Sequence, residues 1–208
     1  MRDVVLVLEL VAVAVYVGLA LVTAGQWLRH RSRPAAWAAA TLTALGSVLG
    51  LVQLVPDQPE GADLLAIKAL VVVFVLFPYC LFRFVDALEP LRADVRRLAL
   101  ALTVVVAAGV FAFEDIPGVG DPRTRSVVVY SLLGLLQWAV LSVVVARRLW
   151  RAGIGRPTVV RRRMWTLAAG ALGLVLVLAI RVASPGEDRQ ATATASDLVV
   201  VVLTVAAG

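Results

Sequence analysis

Hydrophobic residues in this chain form long continuous runs, and neither strict alternation nor a single amphipathic face organises them. Each run is close to the roughly 20 apolar residues that a helix needs to cross a bilayer, whereas strands of a membrane barrel are about half as long and alternate with polar residues. The pattern therefore predicts an all-α bundle of seven transmembrane helices, of which the seventh is truncated. The runs cover residues 4–26, 35–55, 64–84, 98–113, 126–146 and 164–182, and the seventh begins at residue 198.

Proline positions support these boundaries. Pro90, Pro117, Pro122 and Pro157 fall between runs, and Pro34 is placed there too, just before the second run. In such connectors the missing backbone N–H costs no helical hydrogen bond. Only Pro78 lies inside a run, and it predicts a kink or hinge in the third helix.

Composition narrows the class of protein further. Hydrophobic residues make up 61% of the chain and charged residues 16%, against about 45–50% and about 25% in soluble domains. A water-soluble globule is therefore excluded. One cysteine and one histidine build neither a disulfide framework nor a multidentate metal site. No phosphate-binding loop or nucleophile elbow is present, so we expect no cofactor and no catalytic residue in these 208 residues.

Charge predicts the orientation of the bundle. The first, third and fifth connectors hold fourteen arginines, whereas the amino terminus and the other connectors hold five. The positive-inside rule then predicts an amino terminus outside and a carboxyl terminus inside, in a multi-pass protein of the bacterial plasma membrane. The runs at residues 96–97 and 161–163 predict contact with anionic lipids at the cytoplasmic face, so nucleic acid is not an expected partner.

The last apolar run is too short to cross a bilayer. Residues 198–207 make about 15 Å of helix against a hydrocarbon core of about 30 Å. We expect the seventh helix to continue past Gly208 into a cytoplasmic effector. On this view residues 1–208 form one seven-helix transmembrane sensory domain.

Polar residues inside the runs are the candidates for a ligand site, because ionisable groups in hydrocarbon are costly. Glu9 and Lys68 each lie about two turns or less from the outer end of a run, and Gln53 and Tyr130 fall in the same outer third. One hypothesis is that these four line a small-ligand site that opens to the outside, with Gln137 as a deeper polar contact. The alternative is structural: Glu9 and Lys68 form an ion pair, or each reaches toward the headgroups.

Small residues mark a packing stripe on the second run. Gly46 and Gly50 are spaced so that another helix backbone can approach closely. Spacing alone leaves open whether that helix belongs to the same chain or to a homodimer partner.

Two segments carry a resemblance to a known family. The first is Ile67-Lys68-Ala69-Leu70 with Leu76-Phe77-Pro78-Tyr79 and Leu81-Phe82-Arg83-Phe84, and the second runs from Leu141-Ser142-Val143-Val144 through Arg147-Arg148-Leu149-Trp150-Arg151-Ala152-Gly153. The chain resembles the amino-terminal seven-helix membrane region of actinobacterial sensor histidine kinases and related signalling proteins.

The resemblance implies a sensory input module in bacterial signal transduction, of the two-component type. The signal is then expected to pass through the seventh helix to an effector such as a histidine kinase. The alternative function is a small-solute transporter or carrier, which predicts internal repeats and helices broken at mid-membrane.

Overall fold

The computed structural model describes residues 2–52, 62–113, 124–155 and 157–183. Within these ranges the chain is helical and contains no strand, which confirms the all-α prediction. The predicted seventh helix lies outside the described residues. The helices are α1 (Arg2–His30), α2 (Arg33–Val52), α3 (Ala62–Leu88), α4 (Ala93–Gly109), α5 (Arg125–Gly153) and α6 (Thr158–Ala183), with one 3-10 turn (Val110–Ala112) directly after α4.

Three stretches are long and apolar enough to span a membrane: Asp63–Leu88, Ala93–Ala112 and Arg125–Gly153. In each, less than a quarter of the most apolar segment is buried within the protein. Leu98 and Val105, for example, are 70% and 66% exposed. Water-soluble proteins rarely expose apolar surface on this scale, so these helices are suited to an apolar surrounding.

The helices also extend past the apolar runs that predicted them. α3 continues to Leu88 and α5 to Gly153, so their ends carry polar and basic side chains beyond the hydrophobic segment. α1 and α2 are joined by a tight turn in which Arg31 adopts a left-handed backbone conformation (φ 47°). Pro34 belongs to the first turn of α2, which corrects its predicted place in a connector. A proline fits there because the first backbone N–H groups of a helix have no intrahelical partner.

The described chain divides into two compact units, an amino-terminal unit (Met1–Tyr130) and a carboxyl-terminal unit (Ser131–Gly208). In the amino-terminal unit α1 packs against α2, α2 against α3, and α3 against α4. The core of this unit lies on α3 and α4. Its buried apolar side chains include Val75, Phe77, Phe82 and Val85 on α3, Val106 on α4 and Val110 on the 3-10 turn.

The carboxyl-terminal unit contains α6 and α5 from Ser131 onward. The buried positions of α5 recur every three or four residues, which is the helical period of one face. Among the α6 side chains that the structure describes, the buried ones are the small residues Ala168 and Ala171. The buried face of α5 consists of Gln137, Trp138, Leu141, Ser142, Val145, Ala146, Leu149 and Gly153.

Candidate functional site at the end of helix α4

Lys68 lies on α3 and is half-buried. Its Nζ donates a hydrogen bond of 2.6 Å to the backbone carbonyl of Phe113, which directly follows the 3-10 turn after α4. Carbonyls at the end of a helix have no intrahelical partner and carry a partial negative charge. Phe113 has an extended backbone and lies just past this turn, so the ammonium group of Lys68 lies near the C-terminal end of the helix, where a positive charge is favourable.

Tyr130, on α5, reaches the same segment. Its hydroxyl donates a hydrogen bond of 2.9 Å to the carbonyl of Val106, and its ring packs against that of Phe113 with centroids 5.2 Å apart. Gly109 makes this approach possible, since a Cβ there would lie 2.9 Å from Cε2 of Tyr130. The sequence pattern that placed Tyr130 in an outer cluster did not indicate this backbone partner.

Lys68 and Tyr130 are thus brought together around residues 106–113. Each donates to a main-chain carbonyl of one short segment, and the two side chains come from α3 and α5 on either side of it in sequence. Both groups are hydrogen-bond donors, so a ligand bound here would present an acceptor such as a carbonyl, carboxylate or phosphate oxygen. We call Lys68, Tyr130, Val106, Gly109 and Phe113 the α4-end cluster.

The other predicted ligand residues are not placed in this cluster. Glu9 lies on α1, and nothing is described of its side chain; Gln53 lies outside the described residues. Gln137 is fully buried, but it belongs to the carboxyl-terminal unit. The predicted pairing of Glu9 with Lys68 therefore stays a prediction.

The residues predicted to act in helix packing or as a hinge all lie within helices, Gly46 and Gly50 on α2 and Pro78 on α3. Gly46 is buried in α2, a helix that packs against α1 and α3. Gly50 is described as backbone of α2 only. Pro78 is almost completely buried, and α3 continues without a break on both sides of it. Whether the glycines also form a homodimer contact, and whether Pro78 acts as a hinge, remain predictions.

Asp86 is a buried acidic residue that sequence reasoning did not select. Its side chain is 6% exposed, and its Oδ1 accepts a 2.8 Å hydrogen bond from the backbone N–H of Leu91 in the connector between α3 and α4. Its Oδ2 lies 3.9 Å from Nε of Arg83 and 3.9 Å from Nη1 of Arg96. The Arg83 guanidinium also lies over the Trp37 ring, 5.0 Å from its centroid.

A signal for this arrangement was present in the sequence. Asp86 follows Arg83 by three residues on a helix, the spacing of a local ion pair, and further arginines follow it at residues 92, 96 and 97. Hydropathy counting overlooked it because Asp86 lies just beyond the end of the third run. Only the fold brings Trp37 of α2 to the same place.

The described residues contain no group of three potential metal-ligating side chains. Cys80 is present as a free thiol. Neither observation assigns a chemistry to the chain. The α4-end cluster and the contacts of Asp86 are polar arrangements of the amino-terminal unit.

Comparisons with known proteins do not assign the chain to a family. No protein-family model, no curated protein sequence and no solved structure matches it.

Proposed function

We propose that this chain is a multi-pass domain of the bacterial plasma membrane that serves as the sensory input region of a signalling protein of the sensor histidine kinase type. The observation that carries the proposal is the hydrogen bond from Lys68 to the Phe113 carbonyl. An ionisable side chain within an apolar helix is costly in a membrane and is a functional-site hypothesis by default. Three apolar helices with outward-facing surfaces supply the membrane setting for it.

The α4-end cluster suggests how a signal is detected. Lys68 and Tyr130 attach α3 and the start of α5 to the carbonyl end of α4. A ligand with acceptor oxygens competes with the Phe113 carbonyl for the Lys68 ammonium and so loosens one of these attachments. In this proposal the change in helix packing is the signal, and it passes through the seventh helix to a cytoplasmic effector.

The proposed orientation puts the α4-end cluster on the outer side and the α3–α4 connector in the cytoplasm. This follows from the positive-inside rule applied to the arginines. Cysteine labelling tests it in a Cys80→Ser background, because Cys80 is the sole native cysteine. Single cysteines replace Thr124, Leu88 and Ile154, which are all exposed.

A membrane-impermeant maleimide added to intact cells is expected to label Thr124→Cys, and to label Leu88→Cys and Ile154→Cys only after the membrane is permeabilised. Equal labelling of all three in intact cells would contradict the spans on either side of them. The reverse pattern would retain the spans and overturn the orientation. Alkaline extraction of membranes, which removes peripheral proteins, tests membrane integration separately.

The sensory role is tested in the protein expressed from its natural reading frame. The proposal predicts that the frame continues past Gly208 into a kinase, cyclase or phosphatase domain, and that Lys68→Met alters the basal output of that domain. Lys68→Arg, which keeps a cationic donor, is expected to retain more of the native output. Exposed Arg97, changed to Gln, is the control for loss of one positive charge.

The transporter alternative makes the opposite prediction. A frame that ends soon after the seventh run, together with solute uptake into vesicles that Lys68→Met abolishes, would replace the sensory proposal. Unchanged effector output in both Lys68 variants would remove the α4-end cluster from the mechanism.

A further inference from the structure

One surface of the carboxyl-terminal unit is rich in arginine and has no acidic residue near it in sequence. The chain contains no aspartate or glutamate between Asp121 and Glu187. The described part of this unit therefore has no carboxylate of its own to neutralise its guanidinium groups. The arginines with described side chains at the end of α5 and the start of α6 are Arg147, Arg148, Arg151, Arg161 and Arg162.

A pair of tryptophans lies among these arginines. Trp150 of α5 and Trp165 of α6 stack with ring centroids 4.5 Å apart and planes 7° from parallel. The Nε1 of Trp165 also donates a long, 3.4 Å hydrogen bond to the Trp150 carbonyl. Gly153 allows this close packing, since a Cβ there would lie 2.8 Å from Nε1 of Trp165. The stacked tryptophans therefore join the end of α5 to the first turns of α6.

One of the arginines contacts the tryptophan pair directly. The Arg161 guanidinium lies 5.5 Å from the centroid of the Trp165 ring, a cation–π distance. Arg147 and Arg151 are one helical turn apart on α5, and both are exposed, as is Arg162 on α6. Positive groups on both helices therefore accompany one aromatic stack.

Apolar side chains beside the arginines remain uncovered. Trp150 is 51% exposed and Ile154 is 65% exposed. A soluble anion has no apolar part to cover them, whereas a phospholipid presents an anionic headgroup joined to acyl chains. Tryptophan and arginine at the ends of apolar helices are also typical of the headgroup region of a bilayer.

We propose that this arginine–tryptophan surface (Trp150, Trp165, Arg151, Arg161 and Arg162) binds the headgroup of an anionic phospholipid. Guanidinium groups donate to the phosphate oxygens in charge-assisted hydrogen bonds. The exposed tryptophan face contacts the glycerol and the upper part of an acyl chain. The inference rests on the membrane location under the proposed function, and it adds a particular lipid class and a particular site.

Native mass spectrometry of the full chain in a non-ionic detergent tests the site, with phosphatidylglycerol and phosphatidylcholine as probes. The native chain is expected to bind phosphatidylglycerol more tightly. Arg161→Gln and Arg162→Gln are each expected to weaken that binding about fivefold, the effect of one positive charge at an anionic lipid surface. Arg161→Lys keeps the charge, so its loss is expected to be smaller than that of Arg161→Gln.

Two further variants distinguish binding at a defined site from general electrostatic attraction between a basic protein and an anionic lipid. Arg125→Gln removes the same charge from an exposed position at the start of α5, at the opposite end of that helix from Arg147 and Arg151, and is expected to change binding less than twofold. Trp165→Leu keeps every arginine and removes the aromatic stack, and it is expected to weaken phosphatidylglycerol binding. Circular dichroism of each variant confirms that helix content is retained.

Three results would overturn the inference. In the first, Arg161→Gln and Arg162→Gln bind phosphatidylglycerol no more weakly than Arg125→Gln. In the second, Trp165→Leu binds it as the native chain does. In the third, glycerol phosphate displaces it at equal concentration, which indicates a soluble phosphate ligand. Each of these leaves the proposed function standing, whereas removal of the chain from membranes by alkaline extraction contradicts the proposed membrane location itself.

Discussion

The end of α3 and the start of α4 hold arginines together with a buried carboxylate, whereas the end of α5 and the start of α6 hold arginines and no carboxylate. In the first, Asp86 accepts the Leu91 N–H and faces Arg83 and Arg96. In the second, Arg161 lies over an aromatic ring. A carboxylate accepts a backbone hydrogen bond and offsets the positive charge of nearby guanidinium groups within the protein. An aromatic face holds a guanidinium in place but does not neutralise its charge.

This difference bears on what each connector does. A guanidinium already facing a carboxylate gains little from a second anion. One that is held on a ring retains its attraction for an external anion. We therefore interpret the α3–α4 connector as an internal structural tie, and the α5–α6 end as the surface directed to the membrane in our proposal.

The largest expected effect is at Asp86. Asp86→Ala leaves the Leu91 N–H without its acceptor and Arg83 and Arg96 without their carboxylate. It is expected to cost about 1.5–3 kcal/mol of unfolding free energy, the range for a hydrogen bond to a charged group. Unfolding by denaturing detergent measures it. Asp94→Ala, at an exposed position in the first turn of α4, is the control, with an expected cost below about 1 kcal/mol. Equal costs for the two variants would mean that Asp86 is not a structural tie.

A smaller effect is expected at Gly153. Gly153→Ala places a methyl group 2.8 Å from Nε1 of Trp165, so the stacked ring must move at a cost of about 1–3 kcal/mol, partly offset by up to about 1 kcal/mol of better helix propensity. Loss of the exciton signal of the Trp150–Trp165 stack in circular dichroism detects the movement. Gly170→Ala, with open space around the added methyl, is expected to keep the signal and to stabilise α6. An unchanged signal in Gly153→Ala would show that the stack does not depend on this glycine.

The contact at the other end of α4 is expected to be weaker than that of Asp86. Tyr130→Phe removes the hydrogen bond to the Val106 carbonyl but keeps the ring contact, with an expected cost of about 0.6 kcal/mol, the average for side-chain hydrogen bonds in membrane proteins. The same unfolding assay measures it, with exposed Ser126→Ala as the control on the same helix. A cost as large as that of Asp86→Ala would make the α4-end cluster the main polar tie of the amino-terminal unit.

The smallest effect comes from giving the α5–α6 end an acidic residue. Thr158 is exposed at the start of α6, and Thr158→Asp is expected to stabilise the fold by about 0.5 kcal/mol, because a negative charge is favourable at a helix N-terminus. Thr158→Asn, which is similar in shape and uncharged, is the control. The added carboxylate is also expected to weaken phosphatidylglycerol binding, and stronger binding would contradict the comparison between the two connectors.

The helices were accessible to sequence reasoning because hydropathy is a local property. Each of the six apolar runs predicted a helix, and helices occupy those positions in the described residues. The helix ends were less predictable: α5 continues to Gly153, well past its apolar run. Hydropathy marks the end of the apolar segment, whereas a helix continues through residues of good helix propensity such as Arg147 and Arg148.

The candidate site was only partly predictable. Hydropathy indicated Lys68 and Tyr130 as polar residues in apolar surroundings. The predicted site, however, was a cluster of side chains and included no backbone group. Their partners are the carbonyls of Phe113 and Val106. Main-chain groups at a helix end carry no residue-specific signal, so sequence alone does not predict which side chain binds them.

The sequence by itself determined the helical character of the described residues and their apolar helix surfaces, since both follow from composition over a short window. The tertiary structure decided the contacts between distant residues. It placed Trp37 beside Arg83, Phe113 beside Lys68, and Trp150 on Trp165. The physical reason is that such contacts depend on how helices pack, and packing is set by many side chains together rather than by the local pattern.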